Sequence, residues 1–457
     1  MDETGGGTDE VVAVVWPRSR GGVSLFDAEP VTSATVDRFT SDATVRGEAR
    51  RELLRLGFRV LQEGPVTWSI GGPRALFDRT FPPTRDPAGP RLATGRLAEL
   101  IEGAALPEPP VHHASGQPPA VAPAAGTYPY LRLPDDVAAV LGAVQARAMG
   151  VTGQGVRVAM VDAFAGHPFY ALHGFTVRPV ILGPGATLPE VDISGHGTGI
   201  AANVFAVAPG VELQPVKVGP DSAGALDAAA ATGARVISVS WGHHIDQPGR
   251  RMPPFAAAIA GAIAHAAASG VVVCVAAGNH GDRSFPAGHP DVLACGGVMV
   301  DLPGGGLRAS DHASSFDSVL FPGRHVPDVC GLVGQDVGGR APLLMLPVPP
   351  GSDLDRQFAA PGAGAPADGT APDDGWALLS GTSSAAPQVA GAAALALQLR
   401  PELSPAEVRA LLTAHARDVT TGASATGDLA GPGPDAATGA GLIDVAGLAR
   451  SLRGSND

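Results

Sequence analysis

Three residues of types that together do nucleophilic chemistry stand at the ends of apolar runs. Asp162 closes VRVAMVD, His196 sits among glycines in SGHGTGIAANVFAVAP, and Ser383 lies in SGTSSAAPQVAG at the head of a strongly apolar helical stretch. A serine hydroxyl is a weak nucleophile until a base takes its proton, and the base needs a carboxylate to hold its tautomer. Asp162, His196 and Ser383 supply those roles. Attack on a carbonyl creates an oxyanion. Asn279, the last residue of GVVVCVAAGN, can donate its side-chain amide to that oxygen together with the Ser383 backbone N–H, and a helix start at Ser383 adds positive potential. The chemistry these residue types fit is acyl transfer.

Such residues must be held by elements that end where they stand. VRVAMVD (156–162), VELQPVKV (211–218), ARVISVSW (234–241) and GVVVCVAAGN (270–279) read as strands, and FAAAIAGAIAHAAAS and AAPQVAGAAALALQL as helices apolar nearly all round. Strands apolar on both faces that alternate with helices imply an α/β fold, with a mostly parallel twisted sheet covered on both faces by helices. In such sheets the reactive groups gather at the carboxyl ends of the strands. This larger domain is expected over 150–447, with 448–457 as a tail.

A small α/β unit precedes it within residues 1–81: a strand EVVAVVW, a helix SDATVRGEARRELLRLG, a strand pair FRVLQEGPVTWSIGG and a short helix RALFDRTF. Ser41 is the expected helix N-cap, and Leu53, Leu54 and Leu56 the apolar stripe. Residues 82–149 connect the two domains. Within them EGAALPEPPVHHASGQPPAVAPAAGT (103–128) reads as a mobile linker, with His112 and His113 as solvated loop residues.

Composition narrows the partners. Lys+Arg 31 against Asp+Glu 44 leaves a net charge of −13, and Lys217 is the sole lysine. Nucleic acid is excluded as a partner, because phosphate binding wants a basic face. Cys274, Cys295 and Cys330 form no CxxC pair and read as reduced core thiols. The acidic start MDETGGGTDEVVAVVWPRSR lacks the basic region of a secretory signal, and no apolar stretch reaches the roughly 18 residues of a membrane span. The expected location is cytoplasmic, with unconventional export as the alternative, and no membrane partner.

The motifs resemble those of the subtilisin-like serine proteases: VAMVD around Asp162, HGTGIAANVFAVAP around His196, VISVSWG, AAGN at Asn279 and GTSSAAP around Ser383, in that chain order. The likeness runs from about 150 to 447, and residues 40–81 resemble more loosely the propeptide domains that precede such proteases. The resemblance implies a serine endopeptidase acting through an acyl-enzyme, with Asp162, His196 and Ser383 as triad and Asn279 as oxyanion donor. It implies that Ser240, Trp241 and Gly242 form the strand that receives an extended peptide, facing Ala276, Ala277 and Gly278 across the primary pocket. It also implies that the N-terminal domain is an intramolecular inhibitor.

There are departures. DAFAG replaces the usual Asp-Thr/Ser-Gly, and Ser384, Ala386 and Gln388 stand where Met, Ser and His are more usual. GTSSAAP, PDV (327–329) and DDGW are similar to the sedolisins, which however use a glutamate where this chain has His196. No cofactor is needed for the chemistry. Asp353, Asp355, Asp373 and Asp374, and likewise Asp418 and Asp428, are candidate oxygen ligands for a structural calcium, but without EF-hand spacing they read as solvated loop acids. The alternative to an enzyme is a catalytically silent peptide-binding scaffold held closed by its N-terminal domain.

Overall fold

The computed structural model describes residues 10–26, 31–84, 89–107, 111–112, 129–245, 252–301, 305–334, 341–359 and 368–454. The N-terminal unit contains β1 (Glu10–Pro17), α1 (Ala43–Leu56), β2 (Arg59–Glu63), β3 (Trp68–Pro73), α2 (Arg74–Thr80) and β4 (Ile101–Ala105). Its antiparallel sheet has the order β2-β3-β1-β4. The fourth strand comes from a stretch read from sequence as connection and linker, so this unit runs on past residue 81. Ser41 is not the N-cap of α1; that position is Asp42, and the Ser41 hydroxyl instead donates to Pro17 O and Arg18 O. Of the leucine stripe, Leu53 is buried whereas Leu54 is 45% exposed.

Next come β5 (Val111–His112), β6 (Tyr130–Arg132), α3 (Asp135–Leu141) and α4 (Ala143–Ala148). The expected mobile linker is thus interrupted by a short strand; residues 113–128, with His113, lie outside the described residues. The first half of the larger body holds β7 (Arg157–Val161), α5 (Pro168–Leu172), β8 (Thr176–Val177), β9 (Ile181–Leu182), α6 (His196–Val207), β10 (Glu212–Lys217), α7 (Ser222–Ala230), β11 (Val236–Val239) and β12 (Trp241–His244). Then follow α8 (Pro254–Ala268), β13 (Val272–Ala276), β14 (Ser284–Phe285), β15 (Val292–Asp301), β16 (Gly306–Ala309), β17 (Phe316–Asp317), β18 (His325–Val326) and β19 (Val329–Leu332). The chain ends through β20 (Leu343–Pro347), α9 (Asp353–Ala359), β21 (Trp376–Leu379), α10 (Thr382–Leu399), α11 (Pro405–Ala414) and α12 (Val445–Gly454). The expected C-terminal tail is therefore mostly helix, anchored by buried Leu448 and Leu452.

The central sheet has nine strands in the order β16-β15-β13-β11-β7-β10-β8, with β19 on β15 and β9 on β10. All its pairings are parallel except β15 with β16. Side chains alternate across it as the pleat requires. Val158 and Met160 of β7 join the core that contains α6 and α10, whereas Ala159 and Val161 join the one that contains α7 and α8. The chain passes from β7 to β10 on one side and then returns to β11 on the other. That reversal opens a crevice beyond the carboxyl ends of β7 and β11.

The N-terminal sheet is covered on both faces, which is why EVVAVVW shows no polar alternation. Ala13 and Val15 of β1 pack in the unit's own core with Leu53, Phe77 and Phe81, while Val14 and Trp16 belong to the core of α7 and α8. The sheet is thus laid on two helices of the larger body.

Candidate active site

Asp162 follows β7 directly, with its amide bonded to Val216 O at 3.0 Å and its carboxylate buried. Its Oδ1 accepts from the Ala163 N–H at 2.8 Å, and Oδ2 lies 2.9 Å from His196 Nδ1. A carboxylate can only accept, so Nδ1 carries the proton and the neutral ring keeps its lone pair on Nε2. With alanine following Asp162, a backbone amide takes the supporting role. Gly197 makes the approach possible, since a Cβ there would overlap Ala163 O.

His196 opens α6 behind Gly195, which has φ 81°. Asp192 ties that turn: Oδ1 accepts from Gly195 N at 2.9 Å and Ser194 Oγ at 3.0 Å, and Oδ2 from Thr198 N at 2.9 Å and Thr198 Oγ1 at 2.8 Å. Burial alone would lower the imidazole's basicity. The charge of Asp162, its hydrogen bond and the charge of Asp192 outweigh this and hold His196 above its ordinary value.

Ser383 is the second residue of α10. Its hydroxyl donates to Ser240 O at 3.1 Å, and Ser240 Oγ donates to Ser383 O at 3.0 Å. Asn279 meets the same turn, its Oδ1 accepting from Thr382 N at 3.0 Å and Thr382 Oγ1 at 3.1 Å. Thr382 Oγ1 also accepts from Gly278 N at 3.1 Å. This orients the Asn279 amide with its oxygen toward the helix start and its NH2 end turned the other way.

The helices that begin at His196 and at Thr382, next to Ser383, pack against each other. Gln388 Nε2 donates to Asn203 Oδ1 at 2.8 Å, and further along, Gly391 lies against Val204 and Val207. Contacts that advance in the same sense on both helices mean that α6 and α10 run parallel, so they start from the same end. Gln388 is also clamped by Leu332, donating to its carbonyl at 3.0 Å and accepting from its amide at 2.6 Å.

Of the residues expected to receive a peptide, Ser240 and Gly242 flank Trp241 on the edge of β12. The Trp241 indole is fully buried and donates to Val161 O at 2.7 Å, so this residue offers only backbone to the edge. Ala276 and Ala277 are fully buried, and Gly278, at φ 113°, is tied to Thr382. The sheet order β14-β12-β5 puts β14 on one side of β12 and β5 on the other. Trp241 pairs antiparallel with His112, and Gly242 with Val111.

Sequence reasoning missed Asp192, Thr382 and Gly197. The first had a signal, an aspartate followed three residues later by glycine before a helix, which is the pattern of a side chain capping backbone amides. Five of the six acidic residues weighed as calcium ligands have other partners. Asp353 pairs with Arg356 at 2.9 Å, Asp374 accepts from Ala371 N and Trp376 N, and Asp418 accepts from Gly433 N. Asp428 accepts from Ser315 Oγ. Asp355 is not a solvated loop acid: it is fully buried, bonded to Gly351 N and Gly375 N, and raised by that burial. No group of three or more metal-ligating side chains occurs among the described residues. All three cysteines are free and buried, and no described helix is long and apolar enough to cross a membrane.

A mostly parallel sheet between two pairs of helices, with a buried Asp–His pair at the start of one helix and a serine in the first turn of the helix packed on it, is the subtilisin-like architecture. Fervidolysin from Fervidobacterium pennivorans, a keratinolytic enzyme related to subtilisin, superposes with a TM-score of 0.58 over 98% of this chain and 62% of its own, at 19% identity. Residues 182–441 match the model of the Subtilase family, and the chain belongs to that family. His196, Asn279 and Ser383 fall inside the matched segment; Asp162 precedes it. Subtilisin NAT of Bacillus subtilis subsp. natto is 29% identical over 286 residues, 57% of this chain and 60% of that protein. Subtilisin BL of Lederbergia lenta is 29% identical over 277 residues, 57% of this chain and 82% of that protein. The chain thus spans about 60% of the length of subtilisin NAT.

Proposed function

We propose that the chain is a serine endopeptidase that hydrolyses peptide bonds through an acyl-enzyme. Ser383 is the nucleophile, His196 the general base and then acid, Asp162 the group that holds the imidazole, and Asn279 with the Ser383 N–H the oxyanion donors. The observation that carries this reading is the buried 2.9 Å Nδ1–Oδ2 pair at the start of α6, a helix packed against α10, in whose first turn Ser383 lies. Proximity of this kind turns a weak hydroxyl into a nucleophile without any cofactor.

The N-terminal unit is an intramolecular inhibitor. Its sheet rests on α7 and α8, and the connection that leaves it lends β5 to the edge of β12, where an extended substrate adds its strand. The same pairing favours the second reading, a silent scaffold permanently closed by its own chain. A fluorophosphonate probe separates the two. Covalent labelling at Ser383, absent from Ser383→Ala, supports the peptidase. Continued silence after removal of residues 1–128 supports the scaffold.

A further inference from the structure

The two faces of the small sheet β21-β20-β6 keep different company. Register sets Arg132 opposite Met345 on one side of β20, and Trp376 opposite Pro347 on the other. Residues opposite one another share a face and alternate ones lie on the other, so Tyr130, Arg132, Met345 and Trp376 stand together. The alternate residues Leu344, Leu346, Ala377 and Leu379 belong to the core that contains α6 and α10, and Leu346 and Val348 lie against Gly199 and Gly195 at the start of α6.

The outer face is hollow. Tyr130, Leu133, Met345 and Trp376 line an open cavity of about 370 Å³ that Arg132 and Asp374 also reach, a volume in the range of about 300–1,000 Å³ that small-ligand sites occupy. Trp376 is partly exposed, whereas Trp16, Trp68 and Trp241 are buried. Its ring packs at right angles to His167 at 5.6 Å and to Phe169 at 6.0 Å, which braces it in place. Burial lowers His167, against a backbone hydrogen bond to Gly375, so the imidazole sets no positive charge behind the indole.

The surrounding charge favours a cation. Arg132 is already matched by Asp136, donating from Nε to Oδ2 at 3.0 Å and from Nη2 to Oδ1 at 3.2 Å. Asp135, Asp373 and Asp374 in the neighbouring turns are then in excess, on a chain of net charge −13. Asp374 accepts from Ala371 N with Oδ2 at 2.8 Å and from Trp376 N with Oδ1 at 3.0 Å. A carboxylate has about four lone-pair sites, so each oxygen keeps one, which is what the fork of a guanidinium takes. Indole and phenol faces attract the same ion, and a guanidinium sheds water more readily than an ammonium.

We propose that this hollow binds an arginine side chain of a peptide, at a site separate from the edge of β12. Binding there needs no catalysis, so it stands or falls apart from the peptidase reading. On that reading it tethers a basic substrate to the body and raises its effective concentration at the crevice.

The full chain is labelled with 5-fluorotryptophan, which gives a 19F signal from each of its four tryptophans, that of Trp376 being assigned with Trp376→Phe. Nα-acetyl-arginine N-methylamide is titrated in, and in parallel the citrulline compound, which has the same shape without the charge. A saturable shift confined to Trp376, at least about tenfold weaker binding of the citrulline compound, and about threefold or more weaker arginine binding in Asp374→Asn bear the proposal out. Should Asp374→Asn unfold at a lower temperature, raising NaCl from about 0.05 to about 0.5 M tests the same attraction in wild type, where arginine binding should weaken. Equal binding of the citrulline compound, or arginine binding indifferent to salt, overturns the charge argument and with it the proposal. A shift of Trp241 in place of Trp376 puts the ligand at β12 and overturns the site, as does the absence of any saturable shift up to about 50 mM ligand.

Discussion

His196 is buried and yet more basic than a free imidazole, because the two carboxylates nearest to it oppose the effect of burial. A general base must be neutral to work, so on the peptidase reading the raised value displaces the acid limb of the rate profile to higher pH. kcat/KM for a peptide amide is expected to rise with pH through a midpoint above the ordinary imidazole value of about 6.5. Asp162→Asn removes the larger of the opposing charges and should bring that midpoint down along with a large loss of kcat. An optimum near pH 3–4 would instead mean carboxylate chemistry of the sedolisin kind. Ser383→Ala and His196→Ala should each abolish turnover to a similar residual level, since residues that act as a unit do not lose activity additively. These residues were legible because each sits in a separate motif with its own residue type. Asp192 and Thr382 were not singled out, because their work is to hold backbone amides and side chains that sequence does not place beside them.

At the scale of elements, α6 pairs with α10, the helices that carry His196 and Ser383, and Gln388 is the polar bolt between them. It bonds Asn203 and both backbone groups of Leu332, all buried. Gln388→Leu keeps the apolar volume but leaves those groups unsatisfied, at a cost of about 1–3 kcal/mol for each one stranded. Thermal unfolding should show a lower Tm for this variant. Turnover per folded molecule should fall as well, because the register of the two helices relaxes. The main strands and helices of the larger body could be read from their apolar runs. The break of ARVISVSW into β11 and β12 could not: the run is continuous in hydrophobicity, and only the tertiary turn at Ser240 sends Trp241 into a second sheet. β4 was hidden for a different reason. It lies next to a Pro/Ala-rich stretch whose composition looked like linker, and its pairing partner β1 is over eighty residues away in sequence.

The whole molecule is a docked pair, and the docking surface titrates. Asp227 on α7 is covered by the turn at Gly64, where a Cβ would overlap its carboxylate; Arg46 of the N-terminal unit and Asp221, the N-cap of α7, act on it, and Ser69 of the N-terminal unit bonds Asp221. Burial first, and then the charge of Asp221, push Asp227 well above the ordinary carboxylate range against the pull of Arg46. An acid raised in the docked state contributes binding that is fully present below its free value and is lost as pH rises through the docked one. His289 works in the opposite sense. Its Nε2 lies 2.9 Å from Val31 O of the N-terminal unit, its Nδ1 accepts from Asp291 N, and burial lowers it to about 4 in the presence of Asp291, Arg324 and Arg409. Its contribution is complete above the ordinary imidazole value of about 6.5 and fades as pH falls toward about 4. The two groups exchange protons in opposite directions, and Asp221, whose carboxyl is also raised by burial and is bonded by Ser69 of the N-terminal unit, acts in the same sense as Asp227. On the inhibitor reading, the separated N-terminal unit, added in trans to a chain lacking residues 1–128, should therefore inhibit less tightly as pH rises through the range in which these acids titrate, by up to about tenfold per unit for each. Asp227→Asn should flatten that slope, and His289→Gln should leave it while changing the acid side alone. Inhibition constants measured across pH with the three enzymes check this, and a wild-type slope that survives Asp227→Asn would assign the titration to another group.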